Sequence, residues 1–192
     1  CYSNPNIFNL DFTNNPALTY LRCETTSISS LDLNNNTNLT YLYVDDNHLT
    51  DLDLSNNLLL NRLAFSYNDV DSLDLSNHSS IDEIYCPNNL LSYMDVRSGN
   101  SNNISIFNTL NNPNLTCINV DDSTYSSNNW PNIDPQSYFS TNCSPITNLN
   151  LTYVPDDNFE NYLEANGMGD GTPLNDSVLT SNISTVDTLY IQ

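Results

Sequence analysis

Apolar and polar residues alternate along the first half of the chain with a period of 21 residues. A leucine-aspartate-leucine phrase, or a close variant of it, recurs at residues 10–12, 31–33, 52–54, 73–75 and 94–96. A second apolar phrase, with apolar residues at its first, fourth and sixth positions, recurs at 18–23, 39–44, 60–65 and 81–86. The spacing predicts the stacked coils of a repeat solenoid, in which each coil carries two short strand-like pieces 10 or 11 residues apart.

One more inward side chain per coil is expected from Ile28, Leu49, Val70 and Leu91. Cys23 and Cys86 take an inward strand position and are expected to be buried small hydrophobes. Cys1 falls near the same position if one residue is inserted. Two explanations remain open for it: a core residue of an array that is cut within a coil, or the lipidated first residue of a mature lipoprotein.

Residues 39–57 resemble a leucine-rich repeat of the short, nested bacterial type, L-x-x-L-x-L-x-x-N-x-L-x-x-L-D-L-x-x-N-x-x. The matching residues are Leu39, Leu42, Val44, Asn47, Leu49, Leu52, Asp53, Leu54 and Asn57. The resemblance implies a leucine-rich repeat solenoid with short parallel β-strands and few helices. It also implies an asparagine ladder at Asn47, Asn68 and Asn89, whose amides close the turn after each strand. Thr26 interrupts that ladder, so we expect the first complete coil to be irregular.

The repeat stretches after the fifth coil, and the last coil-like pieces are 104–107 and 115–120. The tract 121–143 is not repetitive and holds Tyr125, Trp130, Tyr138 and Phe139. An open solenoid needs a cover over its last apolar layer, so this tract is predicted to be a C-terminal cap. Residues 115–143 resemble the terminal cap of leucine-rich repeat proteins of Bacteroidetes. The resemblance implies a disulfide between Cys117 and Cys143.

The remainder of the chain begins with a polar stretch and then carries the one clear helix pattern, over residues 154–167. Asp157 and Glu160 have capping-box spacing, and Gly167 is a stop signal. The stretch resembles the helical N-terminal cap that opens such arrays in the same bacterial group. The predicted domains are therefore an array (1–120), a cap (121–143), a linker (144–152) and the N-terminal cap with the first strand of a second array (153–192).

The composition of the chain disfavours some classes of binding partner and bears on the cellular compartment. The chain has 23 acidic residues, three arginines, no lysine and a net charge of -20. Such a surface repels nucleic acid and anionic membranes. The sequence has no transmembrane run, no signal peptide and no initiator Met, so we expect a mature or excised segment of an exported protein. The resemblance implies the extracellular space or outer surface of a bacterium.

The repeated aspartates are the candidate metal ligands. Stacking would place them in one outward file with about 5 Å between neighbours. One interpretation is bridging by Ca²⁺, with Asp32, Asp53 and Asp74 as candidate ligands. The other is a solvated face that is hydrogen-bonded to nearby turns. Residues 166–171 resemble a calcium loop, but Met168 stands where an oxygen ligand is required.

The other strand file is more varied in its outward residues. Three outward columns are predicted: Tyr20, Tyr41, Arg62 and Glu83; Arg22, Tyr43, Ala64 and Tyr85; and Glu24, Asp45, Ser66 and Pro87. Tyrosine and arginine on a rigid surface are typical of recognition of protein or sugar. Exposed tyrosines also improve cross-strand packing, which is the alternative explanation. The candidate binding residues are Tyr20, Arg22, Tyr41, Tyr43, Arg62 and Tyr85.

Enzymatic motifs are absent from the sequence, in which His48 and His78 are isolated and are expected on turns. The predicted function is a non-enzymatic recognition or adhesion module that binds protein or glycan at a cell surface. The alternative is a structural spacer or filament-forming segment that contacts copies of itself. Short Asp-Ser/Thr-apolar triplets resemble the O-glycosylation pattern of exported Bacteroidetes proteins, and their candidate acceptors are Ser72, Ser123, Ser177 and Thr188.

Overall fold

The computed structural model describes residues 2–143, 151–153, 162–163 and 177–179. The chain divides into two compact units, Cys1–Cys143 and Ser144–Gln192. The strands are β1 Tyr20–Arg22, β2 Tyr41–Tyr43, β3 Arg62–Ala64, β4 Ser72–Asp74, β5 Glu83–Tyr85, β6 Tyr93–Asp95, β7 Ile106–Asn108, β8 Cys117–Asn119, β9 Tyr138–Ser140, β10 Leu151–Tyr153 and β11 Ser177–Leu179. Helix α1 is Ser123–Asn129, and a 3₁₀ turn is Ser101–Asn103.

The first unit is a parallel β-solenoid built on two sheets. Sheet A has five strands in the order β1-β2-β3-β5-β7, and sheet B has four in the order β4-β6-β8-β9. The central residue of every sheet A strand points inward, and these residues stack in register: Leu21, Leu42, Leu63, Ile84 and Phe107. The core is thus a continuous column that no single coil could bury by itself. The predicted fold class is confirmed.

Sheet A follows from the second apolar phrase in every coil, but sheet B forms only from the fourth coil onward. A strand at every leucine-aspartate-leucine copy was expected, and this is wrong for 10–12, 31–33 and 52–54, which form no strand. There the contacts between coils come from side-chain amides. Asn36 donates to the carbonyls of Phe12 and Asn15, and Asn57 donates to those of Leu33 and Asn36.

A ladder of buried asparagine side chains runs along the turn after sheet A. We call it the first ladder, and its members are Asn47, Asn68, Asn89 and Asn112. Each Nδ2 donates to a carbonyl of its own coil and to one of the preceding coil. Each Oδ1 of the last three accepts a backbone N–H of the preceding coil, namely Leu49, Val70 and Leu91.

At both ends of the first ladder, a polar side chain other than asparagine makes the hydrogen bond. Thr26 donates its hydroxyl to Asn47 Oδ1 at 2.5 Å, and its neighbour Thr25 has the same left-handed backbone (φ 52°) as Asp46 (φ 56°) in the next coil. The expected irregularity at Thr26 is therefore wrong, because a hydroxyl donor satisfies the same acceptor. At the far end, the Asp134 carboxylate accepts the backbone N–H groups of Asn111 and Asn112.

A second ladder, Asn36, Asn57 and His78, follows the turn on the sheet B side. His78 lies on a turn, as expected, and it is 1% exposed with its Nε2 3.1 Å from the Leu54 carbonyl. A carbonyl only accepts, so Nε2 is assigned the proton. Burial lowers the pKa of His78 and outweighs the opposing effects of the Leu54 carbonyl and the Asp74 charge.

The C-terminal cap covers the last layer of the core with aromatic rings. Trp130 stacks on Phe107 with ring centroids 4.4 Å apart and contacts Phe139 edge-on. Its Nε1 donates to the Ile104 carbonyl. Helix α1 within this tract was not expected, because its residues have no apolar stripe. Its signal is the N-cap at Asp122, whose carboxylate accepts the backbone N–H groups of Thr124 and Tyr125.

A disulfide and a hydrogen bond from Arg97 tie the cap to the array. The disulfide between Cys117 and Cys143 is confirmed, with Cα atoms 5.7 Å apart, and a loop of 26 residues stabilises the fold by about 3 to 4 kcal/mol. Arg97 binds Asp95 through Nε and donates to the Thr141 carbonyl. Burial of Asp95 disfavours its charge, but the hydrogen bonds from Arg97 outweigh burial and lower its pKa.

The remaining cysteines differ from one another. Cys86 is a free, fully buried thiol whose pKa is raised by burial, as expected for a core residue. Cys23 is equally buried but is disulfide-bonded, so describing it as a simple hydrophobe was incomplete. Both explanations of Cys1 concern a residue outside the described residues.

In the second unit, β10 and β11 pair antiparallel, and Tyr162 and Leu163 are helical. Residues 151–152 belong to β10, so the predicted linker is not wholly irregular. The predicted helix 154–167 and the calcium-like loop 166–171 otherwise lie outside the described residues. No helix in the part of the chain that the structure describes is long and apolar enough to cross a membrane.

Removing one rung of the first ladder tests its contribution to stability. Asn68 makes three carbonyl contacts and accepts Leu49 N–H, so Asn68→Ala should lower the free energy of unfolding by about 2 to 4 kcal/mol. Urea denaturation measures the change. The control is Asn56→Ala, which removes an exposed amide and should cost less than about 0.5 kcal/mol. Equal losses in the two variants would contradict the ladder's role.

The buried histidine makes stability depend on pH. The folded-state pKa of His78 is below its unfolded value, so the stability present above about pH 6.5 is lost as the pH falls toward the folded pKa. His78→Asn keeps the donor to Leu54 and does not titrate. Between about pH 8 and pH 5, the native chain should lose stability relative to His78→Asn by at most about 1.4 kcal/mol per pH unit. Urea denaturation at each pH measures the stability of both proteins. If the native chain and His78→Asn lost stability equally as the pH falls, the lowered pKa of His78 would be refuted.

Candidate recognition surface

The outward side chains of sheet A form two straight columns because the strands pair in parallel with a constant register. We call this surface the tyrosine face. One column is Tyr20, Tyr41, Arg62, Glu83 and Ile106, and the other is Arg22, Tyr43, Ala64, Tyr85 and Asn108. The register brings all six candidate binding residues onto one continuous surface. Whether that surface binds a partner stays a prediction.

The tyrosines at one end of the face contact each other. The Tyr20 ring lies 6.0 Å from that of Tyr41 and 5.8 Å from that of Tyr43, in tilted arrangements. This is the cross-strand packing that was the alternative explanation for these residues. The packing leaves ring surface uncovered, since Tyr20 is 51% exposed and Tyr85 is 44% exposed. The face is therefore both packed and accessible.

Both arginines of the face are held by a carboxylate and an aromatic ring. Arg22 pairs with Glu24 at 2.8 Å and lies over the Tyr2 ring, 4.6 Å from its centroid. A similar arrangement fixes Arg62 between Glu83, at 3.4 Å, and the Tyr41 ring. The Tyr43 hydroxyl and the Glu83 charge raise the pKa of Arg62.

The charge of the face differs from that of the whole chain. Two of the three arginines lie on it, and each is matched by one glutamate, so these pairs add no net charge. The chain as a whole carries -20. The tyrosine face is thus a locally balanced, aromatic surface on an acidic molecule.

A small pocket of about 210 Å³ opens in the middle of the tyrosine face. Its floor is Ala64 and Leu63, and its outward walls are Tyr43, Arg62, Glu83, Tyr85 and Ile106. Ala64 makes the pocket because it is the one small side chain between two tyrosines in its column. Ile106 was not among the candidates. The coil before it is two residues longer, so the 21-residue period does not place it on the face.

The repeated aspartates act as turn acceptors in the structure. In all five copies one carboxylate oxygen accepts the backbone N–H two residues later, and the aspartates are Asp11, Asp32, Asp53, Asp74 and Asp95. Within the described residues, no group of three or more histidine, cysteine or carboxylate side chains is arranged to hold a metal ion. Calcium at Asp32, Asp53 and Asp74 therefore gains no geometric support.

A second, acidic cleft of about 380 Å³ lies between residues 51–55 and β4. Asp51, Asp53, Asp74 and the buried His78 line it. It marks the place where sheet B begins, since residues 52–54 do not pair with β4. The cleft is thus a consequence of the change from side-chain to backbone hydrogen bonding between coils.

The candidate modification sites have different surroundings. Ser72 is exposed in β4, whereas Ser123 is half-buried in the first turn of α1. Asp122, the acidic residue of that triplet, is the N-cap of α1, and its carboxylate is hydrogen-bonded to the backbone N–H groups of Thr124 and Tyr125. Ser177 begins β11, and Thr188 lies outside the described residues. All four stay predictions.

No protein-family profile matches the chain, and no curated protein is significantly similar to it. A solved structure is similar: the functional domain of InlJ from Listeria monocytogenes, described as including a cysteine ladder. The two share 28% sequence identity with a TM-score of 0.55, over 62% of this chain and 26% of the InlJ chain. This chain thus matches about a quarter of the length of the InlJ chain.

The likeness to InlJ, at 28% identity, agrees with the repeat-solenoid fold of the first unit. The described part of the present chain stacks asparagines where its turns close, and its inward cysteines Cys23 and Cys86 stand three coils apart in sequence (63 residues). A cysteine ladder is therefore not a feature of these coils. The first unit is a parallel β-solenoid with coils of the leucine-rich-repeat kind.

Proposed function

We propose that this chain is a recognition module of an exported bacterial surface protein, which binds a protein or glycan partner through the tyrosine face. The observation that carries the proposal is the contrast in surface chemistry. Four tyrosines, of which Tyr20 and Tyr85 are the most exposed, and two paired arginines lie in the outward columns of one sheet of a molecule that is otherwise strongly acidic. Tyrosine and arginine are the residues enriched at the energetic centres of interfaces.

The rigidity of the face supports binding. The inner strands β2, β3 and β5 are fixed by backbone hydrogen bonds to both neighbours, and Tyr20 and Tyr41 already contact each other before a partner arrives. Tyrosine has few rotatable bonds, so little conformational entropy is lost when it is covered. The face can therefore convert most of its contact energy into affinity.

The disulfide-bonded cysteines support an oxidising compartment. Cys117 and Cys143 are paired and Cys23 is disulfide-bonded, as is usual outside the cytoplasm. The acidic surface disfavours nucleic acid and anionic membranes as partners. These features support an exported protein whose partner lies at the cell surface.

A binding role fits the described residues better than catalysis. His78 is buried inside the solenoid, and His48 is exposed on a turn. The likeness to InlJ is likewise a likeness between repeat solenoids. The proposal therefore assigns the chain no reaction.

Alanine substitution of the face tests the proposal. A glycan array and a pull-down from cell-surface extracts would be run with the native chain and with the triple variant Tyr41→Ala, Tyr43→Ala, Tyr85→Ala. Each lost aromatic contact should cost about 1 to 2 kcal/mol, so affinity should fall at least about a hundredfold.

The control is Tyr138→Ala, which removes an exposed tyrosine (56%) from sheet B. It should leave binding unchanged. A partner that binds the triple variant and the native chain equally well would exclude the tyrosine face. Concentration-dependent fibres in sedimentation, with no bound partner, would favour the structural spacer instead.

A further inference from the structure

The pocket over Ala64 has the width of one ring. Tyr43 and Tyr85 lie in the same column on strands that are two positions apart, with Ala64 between them. Neighbouring strands are about 4.8 Å apart, so the two tyrosine side chains rise from the sheet about 9.6 Å apart. A ring inserted between them would lie about 4.8 Å from each, which is within the range of aromatic stacking contacts.

One side of this pocket presents a donor and an acceptor together. The Arg62 guanidinium and the Glu83 carboxylate are 3.4 Å apart, and both are only partly buried. A hydroxyl group can donate to one and accept from the other. Adjacent hydroxyls on a ring could therefore replace the water that the pair loses when the pocket fills. An aromatic side chain of a partner, with at most one hydroxyl, would leave part of the pair unsatisfied.

The charged groups around the pocket leave no partner for an ion. The chain's -20 charge disfavours an anionic ring, and Arg62 already pairs with the Glu83 carboxylate that a cationic ring would need. A neutral ring with apolar C–H faces and hydroxyl edges fits both the tyrosine walls and the ion pair, because the electron-rich tyrosine faces attract the C–H groups.

We propose that the pocket between Tyr43 and Tyr85 binds one neutral pyranose ring of a glycan. Ala64 is the floor of the pocket, and Arg62 and Glu83 form hydrogen bonds with the hydroxyls of the pyranose. This rests on the proposed function, because it names the ligand class for part of the tyrosine face. The remaining tyrosines, Tyr20 and Tyr41, would contact the next residues of the glycan or its carrier.

The floor residue offers a direct measurement. The chain has three alanines, Ala17, Ala64 and Ala165, so alanine-methyl labelling places an NMR probe in the pocket. The probes would be methyl glycosides of glucose, galactose, mannose and N-acetylglucosamine, titrated to tens of millimolar. At least one should shift the Ala64 methyl resonance in a saturable manner and leave Ala17 unchanged. N-acetyltyrosine amide, which represents an aromatic side chain, should produce a weaker shift.

Two kinds of variant separate the pocket from the rest of the surface. Ala64→Leu fills the pocket and should weaken glycoside binding at least about tenfold, and Tyr85→Ala removes a wall and should do the same. In Ala64→Leu the bound glycoside is followed by saturation transfer from the protein. Tyr138→Ala lies on sheet B, outside the tyrosine face, and should leave glycoside affinity unchanged.

Each outcome has one meaning. No saturable Ala64 shift with any glycoside, a stronger shift with N-acetyltyrosine amide, or unchanged glycoside binding in both Ala64→Leu and Tyr85→Ala would overturn the pyranose site. The proposed function would survive if a partner were still lost in the triple tyrosine variant. Glycoside binding at Ala64, with a partner indifferent to the triple variant, would support the site and remove the proposed function.

Discussion

The solenoid depends on the donation of asparagine amides from one coil to the backbone carbonyls of the coil before it. Each turn after sheet A uses a left-handed residue, from Thr25 to Asn111, which directs carbonyls into the interior where water cannot reach them. Asn47, Asn68, Asn89 and Asn112 satisfy these carbonyls, and the cost of an unsatisfied buried carbonyl makes the arrangement strict. The leucine columns supply most of the buried apolar surface. The asparagine amides fix the position of each turn relative to the coil before it.

Because every coil needs a neighbour, the last coil needs a substitute for one. The cap supplies both parts of the missing coil. Asp134 takes the place of the next ladder residue at Asn112, and Trp130 covers Phe107 as the next core side chain would. The disulfide between Cys117 and Cys143 holds this substitute in place. Hydrogen bonding and apolar burial are thus completed by different residues of one short segment.

The same stacking creates the tyrosine face. A constant parallel register turns residues that are 21 apart in sequence into direct neighbours, so substitutions within the repeat become a two-dimensional pattern. Two tyrosines with an alanine between them become a pocket, and Arg62 next to Glu83 becomes an ion pair on its edge. Such a surface can change its specificity without changing the core, because inward and outward positions alternate along each strand.

The repeat alone determined the solenoid, the inward leucines and the two outward columns of strands β1, β2, β3 and β5, because each depends on spacing that a constant period makes readable. The first ladder as far as Asn89 and the paired cysteines followed from the resemblance to known leucine-rich repeats and their caps. Only the tertiary structure decided features that depend on packing between distant residues: the burial of His78, the pocket with Ile106 and the start of sheet B at β4. Their physical reason is common to all of them, since hydrogen-bond partners and neighbours across coils, and not local propensity, determine which side chains are buried and which strands pair.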